Sequence, residues 1–285
     1  MKGLTLRGLK IYFRDKGGVF FSLLGVLIIF CLFIFFIGDS IVEGLDWLSN
    51  SKNIMNSWVV AGMLASASIT TSMGAYAQMV TDRDQKIIKD FYTSPISRAS
   101  VTASYMLTGF IISVIMSLIV LVIGEAYICI KGGVLLSAPT YLKIFGVMLL
   151  SSFASSAMVC FVVSFMRTTA SYTTVSIILG TLIGFLVGAY IPIGQLPSGV
   201  QNVIRFFPSA HSASLFRQLM MDSLSATSFA SLPAAQRAGF EEELGVRFVY
   251  GGTTAPAWVS LVVLAGTGIV FYLLAILNMS RKRKK

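Results

Sequence analysis

Six long apolar runs constrain what this chain can fold into. The predicted spans cover residues 19–37, 57–80, 101–130, 141–166, 172–191 and 257–279. Each has about 20 residues or more, the length that an α-helix needs to cross the hydrocarbon of a bilayer. Because 55% of the residues are hydrophobic and only 12% are charged, too few polar groups remain to cover a soluble globule. No regular ten-residue alternation indicates a barrel, so the sequence predicts an all-α integral membrane protein with six transmembrane helices.

The distribution of charge predicts the orientation of the chain. Its net charge is +10. When both termini are placed in the cytoplasm, the cytoplasmic segments carry all of the positive excess and the outer segments are close to neutral, which is the positive-inside pattern. The basic residues therefore indicate contact with phospholipid headgroups rather than nucleic acid. The first run follows a long basic leader and lacks a small-residue cleavage site near Gly38, so we expect an uncleaved helix in the plasma membrane.

The segment before the first span has an amphipathic pattern. Leu6, Leu9 and Phe13 fall on one side of a helix, and basic residues occupy the adjoining sector. This pattern predicts an interfacial elbow helix within residues 1–18, with a bend at Gly17-Gly18. A solvated basic leader without fixed structure is the alternative.

Small residues recur at every fourth position in two spans. They are Gly62, Ser66, Thr70 and Gly74 in the second span, and Gly180, Gly184 and Gly188 in the fifth. Small side chains let helix backbones approach closely in lipid, so we predict helix packing at these glycines. A subunit interface or a pair of helices lining a pathway remains open as an alternative.

The loop over residues 81–98 is charged and has a helical signature of its own. Thr81 with Asp84 fits a capping box, and Ser94-Pro95 fits a helix start. A short apolar stripe with aromatic residues amid charges is the usual composition of an interaction surface, although a simple connector is possible. The candidate partner-binding residues are Asp82, Arg83, Ile87, Ile88, Phe91 and Tyr92.

The stretch over residues 192–256 is predicted to lie outside and to contain short helices. One short amphipathic helix is expected between Pro197 and Pro208, a second around Leu215 and Leu219, and a third over residues 235–250. Residues 223–233 are expected to form a flexible link. His211, the only histidine, is interpreted as an ordinary loop residue.

The sequence lacks the residues needed for gradient-driven transport, zinc binding and nucleotide binding. No ionisable residue lies near the middle of a span, which disfavours gradient-driven carriers. A single histidine cannot form a multi-histidine zinc site, and the chain has no Gly-Lys dipeptide from which a phosphate loop could be built. We therefore expect no catalytic residue, no metal and no nucleotide site, so any ATP is bound by another chain.

Three segments, taken in order, resemble the ABC type-2 permease family, the membrane half of many bacterial exporters of drugs, peptides, lipids and polysaccharides. They are the basic segment 7–16, the sequence KDFYTSPISR over 89–98, and the sequence GAYIPIGQLP over 188–197 followed by Phe207-Pro208. The outer segment 223–254 is longer than in the simplest members, which leaves the shape of the outer gate open.

The resemblance implies an exporter built from two permeases, either two copies of this chain or one with a related partner, and two separate ABC ATPases that hold ATP and Mg²⁺. This chain itself would bind no cofactor. The loop 81–98 would be the coupling helix that docks on the ATPase. Residues 1–18 would be the elbow, 19–191 spans 1 to 5, 192–256 a re-entrant and extracellular segment, 257–279 span 6 and 280–285 a basic cytoplasmic tail.

The resemblance also places spans 2 and 5 along the pathway. The pathway residues would then be Ser66, Thr70, Met73, Leu179, Ile183 and Phe185. Such an uncharged lining of apolar and hydroxyl side chains suits an amphipathic or lipid-like cargo, such as a drug, toxin, peptide or lipid. A gradient-driven carrier or channel and a non-transporting scaffold or immunity protein are the alternative functions.

Overall fold

The computed structural model describes residues 1–45, 47–48, 50–93, 95–229, 233–250 and 252–280. Helices dominate the described residues. In chain order they are α1 (Lys2–Arg14), α2 (Lys16–Leu32), a π-helical turn (Phe33–Ile37), α3 (Gly38–Glu43), α4 (Ser51–Asp84), α5 (Ile88–Thr93), α6 (Arg98–Ile130), α7 (Ala138–Ser164), α8 (Thr169–Leu186), a 3₁₀ turn (Ile193–Gln195), α9 (Ser198–Phe206), α10 (Pro208–Ser228), α11 (Ala234–Glu243) and α12 (Ala257–Ser280).

The six predicted spans are confirmed as helices that are long and apolar enough to cross a membrane. Spans 1 to 6 are α2 with its π-helical turn, α4, α6, α7, α8 and α12. The outer segment adds one short hairpin, in which β1 (Val249–Tyr250) pairs antiparallel with β2 (Thr253–Thr254). Within the described ranges the fold is otherwise all-α, as the sequence predicts.

Span 2 is the central helix of the bundle. It packs on α2, α6, α7, α8 and α10 and is buried along almost all of its length. By contrast, spans 1, 5 and 6 present most of their surface to the outside of the chain. The core therefore surrounds α4, and the most hydrophobic helices lie around it.

The junction between α1 and span 1 differs slightly from the prediction. The helix of span 1 begins at Lys16 because the Asp15 carboxylate accepts a hydrogen bond of 2.9 Å from the Gly18 N–H, which caps the first turn. The expected bend at Gly17-Gly18 is therefore at Asp15. The preceding helix α1 packs mainly against α6, with further contacts to α2 and α4.

Two local predictions in the loop 81–98 are wrong. Helix α4 continues through Asp84, so Thr81 lies in its last turn and donates to the Ala77 carbonyl at 3.0 Å instead of capping a new helix. Span 3 begins at Arg98, where Ser97 is the N-cap and accepts from the Ser100 N–H at 3.1 Å. Ser94 lies outside the described residues.

Span 5 ends at Leu186, five residues before the predicted end at residue 191. Gly188 adopts a φ of +65°, a left-handed conformation that side chains other than glycine rarely take. The chain therefore leaves the helix at this glycine.

In the outer segment between spans 5 and 6, helix α10 is longer than predicted and helix α11 is shorter. Helix α10 extends to Ser228, so the predicted flexible link 223–233 is helical over its first half, and residues 230–232 lie outside the described chain. The third helix ends at Glu243 rather than near residue 250, where the β-hairpin follows instead. Of the predicted basic tail over 280–285, Ser280 is the last residue of α12, and residues 281–285 fall outside the described part.

Candidate functional site

A network of buried serine hydroxyls joins three spans and α10 near the middle of the bundle. Ser151 of span 4 shares hydrogen bonds of 2.8 Å with Ser68 of span 2 and with Ser212 of α10. Ser113 of span 3 donates to Ser152 at 3.0 Å and to the Ser68 carbonyl at 3.1 Å. Ser151 lies halfway along α7, so the first turns of α10 reach the mid-depth of the bundle.

Asp82 forms a second polar centre at the end of span 2 that is predicted to face the cytoplasm. Its fully buried carboxylate accepts two hydrogen bonds from the guanidinium of Arg7 in α1, at 2.8 and 2.9 Å. Tyr105 of span 3 donates to the same carboxylate at 2.6 Å, and Gln78 donates at 2.8 Å. The hydrogen bond from Arg7 to Asp82 also raises the pKa of the guanidinium above its ordinary value, so Arg7 stays charged. Asp82 thus ties α1 and span 3 to the end of span 2.

The next two residues of the chain hold the ends of spans 4 and 5. Arg83 donates to the carbonyls of Val163, Ser164 and Met166, at 2.9 to 3.2 Å, where the helix of span 4 ends. The Asp84 carboxylate accepts from the backbone N–H of Thr169 at 3.0 Å and from its hydroxyl at 2.7 Å, at the start of span 5. A cation at a helix C-terminus and an anion at an N-terminus both match the helix dipole.

A groove lies between α1 and spans 1, 2 and 5. Its volume is about 560 Å³. Thr70 and Met73 of span 2 line it from one side, and Leu179 and Ser176 of span 5 from the other. Tyr172 closes the contact between the two spans by donating to the Met73 carbonyl. Among the described residues, the lining is therefore mostly apolar, with hydroxyl groups, the amide of Gln78 and one carboxylate, Asp15, close to the start of span 1.

A sequence model of the ABC-2 family transporter proteins matches residues 13–277, almost the whole chain. The chain belongs to the ABC-2 transporter family. It is therefore a multi-pass membrane component of an ABC transporter, whose ATP-hydrolysing subunit is a partner. Comparison with curated proteins gives no match.

Some of the partner-binding residues predicted for this ABC-2 chain are engaged inside the bundle, and others are partly accessible around α5. Asp82 is fully buried in its ion pair, and Arg83 is engaged with the end of span 4, so neither carries its charge on a free surface. Ile88 is also buried at 9% exposure, whereas Ile87 and Phe91 are half-buried around α5. The Phe91 ring lies 5.5 Å below the guanidinium of Arg7. The side chain of Tyr92 is outside the described set.

Only some of the predicted pathway residues line this groove. The groove brings together Thr70, Met73 and Leu179. Ser66 and Ile183 are instead buried within the helix packing at 0% and 1% exposure, because they lie on the inner faces of their helices. Phe185 lies near the outer end of span 5, where its ring contacts that of Tyr190 with centroids 5.0 Å apart.

The small-residue stripes make close contacts at some positions and none at others. A Cβ on Gly62 would lie 3.0 Å from that of Ala189, and a Cβ on Gly74 would lie 2.8 Å from that of Ser22. Gly184 lies directly beneath the ring of Tyr190, whereas Gly180 has open space around it. Span 5 therefore packs closely at its outer end and leaves a small-residue face open further inward.

The sequence-based predictions leave out one buried residue of α10, Arg217, and misplace another, His211. Arg217 is fully buried and donates to the carbonyls of Val187 and Gly188 at 3.2 and 2.7 Å, while its guanidinium lies 4.6 Å from the centre of the Trp58 ring. His211 is 1% exposed and bonds to Ser260 at 2.9 Å, so its interpretation as a loop residue is wrong. Arg217 could not be predicted from the sequence, because its partners are backbone carbonyls. No acidic residue at a helical spacing from Arg217 indicates that it is buried and bonded.

Proposed function

We propose that the chain is the permease subunit of an ABC exporter that moves an amphipathic or lipid-like cargo. The observation that carries this proposal is the run Asp82-Arg83-Asp84 at the end of span 2. These three consecutive side chains bond to α1, span 3, span 4 and span 5. A force applied to the segment that follows them would therefore reach four elements at once.

The following segment is the proposed docking surface for the ATPase. Lys89 and Asp90 are exposed, and Ile87 and Phe91 are half-buried beside them, so charges surround partly accessible apolar groups. Helix α5 would act as the coupling helix, and α1 as the elbow at the cytoplasmic interface. Both termini would then lie in the cytoplasm, where the excess of basic residues is located.

A second permease is proposed to cover the open face of span 5. This helix contacts mainly α4 and α2, and its outward face carries Thr174 and Thr181 together with exposed apolar residues such as Ile177. The hydroxyls of Thr174 and Thr181 donate to carbonyls of their own helix, and the open space at Gly180 on this face allows a neighbouring helix to approach closely. The groove beside Thr70 and Leu179 would open toward this face and admit the cargo.

Affinity purification of the tagged chain in mild detergent tests the docking surface. We expect an ATPase subunit carrying a phosphate loop to co-purify with the chain. Phe91→Ala should reduce its retention by about 1–3 kcal/mol of binding free energy, the usual range for an aromatic anchor. Lys89→Glu should also weaken retention, because it reverses a charge on the proposed docking surface. Since Lys89 is exposed, this change should leave the fold intact.

Phe165→Ala is the matched control, since Phe165 is an exposed aromatic residue at the same end of the bundle but outside the loop 81–98. Normal retention of the ATPase by both loop variants would refute this docking surface. A preparation that never contains an ATPase, despite co-expression of candidate subunits, would contradict the permease proposal itself.

Cysteine labelling tests the groove without knowledge of the cargo. In a chain whose three cysteines are replaced by alanine, Thr70→Cys should react with a water-soluble maleimide before ATP is added and lose reactivity when vanadate traps the ATPase. Ser66→Cys, one turn earlier and fully buried, should stay protected in both states. Equal labelling of Thr70→Cys in both states would refute the assignment of this groove to an alternating pathway.

A further inference from the structure

A second and larger cavity lies at the opposite end of the molecule from the loop 81–98. Its volume is about 1140 Å³. The end of span 1 and helix α3 form one side, and the loop after span 5 and helix α11 form the other. The proposed pathway residues do not line this cavity, so it needs an explanation of its own.

Aromatic rings form much of its wall. Trp47 is 52% exposed and meets the buried Phe240 edge to face, with ring centroids 6.0 Å apart. Phe36 is 72% exposed, and Tyr190 lines the cavity from the other side. An aromatic belt at the membrane interface would account for such rings on a lipid-facing surface. It would not account for a carboxylate placed among them.

That carboxylate belongs to Glu243, the last residue of α11. Glu243 is exposed in the cavity, and its Oε1 accepts a hydrogen bond of 3.2 Å from the amide of Gln195. The backbone of the Gln195 loop packs closely on it, since a Cβ on Gly194 would lie 2.7 Å from the Glu243 Cα. The loop therefore packs on the backbone of Glu243 and contributes one hydrogen bond to its carboxylate.

The neighbouring acidic residues of α11 have cationic partners within the chain. Glu241 pairs with Arg237 at 2.8 Å and with Arg247 at 2.9 Å, and Glu242 pairs with Arg205 at 3.5 Å. Within the part of the chain that the structure describes, no arginine or lysine forms an ion pair with Glu243. Among the described residues, the cavity thus presents a negative charge without a cationic partner.

We propose that this cavity binds an amphipathic organic cation, with its charged centre near Glu243 and its apolar body between the rings of Trp47, Phe36 and Tyr190. Aromatic faces attract cations, and a carboxylate gives a charge-assisted contact to an ammonium group. The volume suffices for a drug-sized molecule. A neutral lipid tail would leave the carboxylate unmatched, and the phosphate of a phospholipid would be repelled by it. Binding here needs neither ATP nor docking of an ATPase, so the inference is independent of the proposed function.

Equilibrium binding of tetraphenylphosphonium tests the proposal against a probe of the same shape and opposite charge, tetraphenylborate. The purified transporter is placed in phosphatidylcholine nanodiscs without ATP, and binding to empty nanodiscs is subtracted. We expect saturable binding of the phosphonium and none of the borate. Glu243→Gln should weaken phosphonium binding about fivefold, as expected for a partly solvated ion pair.

Two further variants separate the site from general surface charge. Trp47→Leu should weaken binding by a similar factor of about five, whereas Trp47→Phe should retain most of it, because a ring remains. Glu43→Gln removes the same charge from an exposed position at the end of α3 that does not line the cavity, and it should leave binding unchanged.

Absence of saturable phosphonium binding would overturn the proposal, and so would equal binding of the borate. Unchanged affinity in both Glu243→Gln and Trp47→Leu would place any binding elsewhere. Since the two variants alter different elements of the cavity, failure of one to fold leaves the other as a test.

Discussion

The ion pair between Arg7 and Asp82 gives a sharp quantitative prediction. The pair is bidentate, with N···O distances of 2.8 and 2.9 Å. The Asp82 side chain is fully buried, while that of Arg7 is 33% exposed. Exposed pairs contribute about 0.2–1 kcal/mol, and removing one partner of a buried pair costs about 3–5 kcal/mol. An intermediate coupling energy of about 2 kcal/mol is therefore expected for this half-buried pair.

A double-mutant cycle measures this coupling energy. Arg7→Met and Asp82→Asn are made singly and together, and the free energy of unfolding is determined by equilibrium titration with sodium dodecyl sulfate in mixed micelles. Asp82→Asn should be the more damaging single variant, because the carboxylate also accepts hydrogen bonds from Tyr105 and Gln78. The double variant should be less destabilised than the sum of the two single variants by about 2 kcal/mol.

The pair between Arg237 and Glu241 serves as the matched control. Its N···O distance is also 2.8 Å, but the Arg237 side chain is more exposed, at 41%, and the two residues are four apart on one helix. The same cycle there should give only about 0.3–0.5 kcal/mol. A coupling energy for Arg7 and Asp82 no larger than that of the control would refute the reasoning that burial of the carboxylate makes this pair strong.

Four further predictions concern the packing of the helices. Arg217→Met should lower the free energy of unfolding by roughly 3 kcal/mol, since buried carbonyls lose charge-assisted donors, and the same detergent titration measures it. Ser151→Ala should cost only about 1 kcal/mol in that assay, because hydrogen bonds between membrane helices are weak on average. Gly184→Ala should destabilise the chain by about 1–3 kcal/mol through overlap with the Tyr190 ring. Gly180→Ala should be neutral in the single chain, so a loss of permease dimer in cross-linking would locate the second copy at this face.

The sequence is sufficient to locate the spans because their signal is local. Every window of apolar residues that is long enough to cross a bilayer is a helix in the structure. The ends are less predictable, since they depend on single side chains and distant partners. Asp15 moves the start of span 1, and the left-handed Gly188 ends span 5 early.

The polar centres are less predictable because they join residues that are far apart in the chain. Arg7 and Asp82 are separated by 75 positions, and Arg217 bonds to Gly188 across 29 positions. Neither pair has a spacing rule that a single sequence reveals. Asp82 is predicted as a surface residue because charges in loops are usually solvated, whereas here α4 extends to Asp84 and places the Asp82 side chain inside the bundle.

The central position of span 2 has a consequence for how the protein is made. It is the least hydrophobic of the six spans and the most deeply buried, so the chain itself replaces lipid as its surroundings. During synthesis, however, span 2 leaves the ribosome before spans 3 to 5 exist to cover it. We expect chains truncated after residue 97 to insert span 2 inefficiently and chains that include span 3 to insert it well, as glycosylation mapping in microsomes would show. The order of synthesis therefore makes the core helix of this protein dependent on neighbours that arrive later.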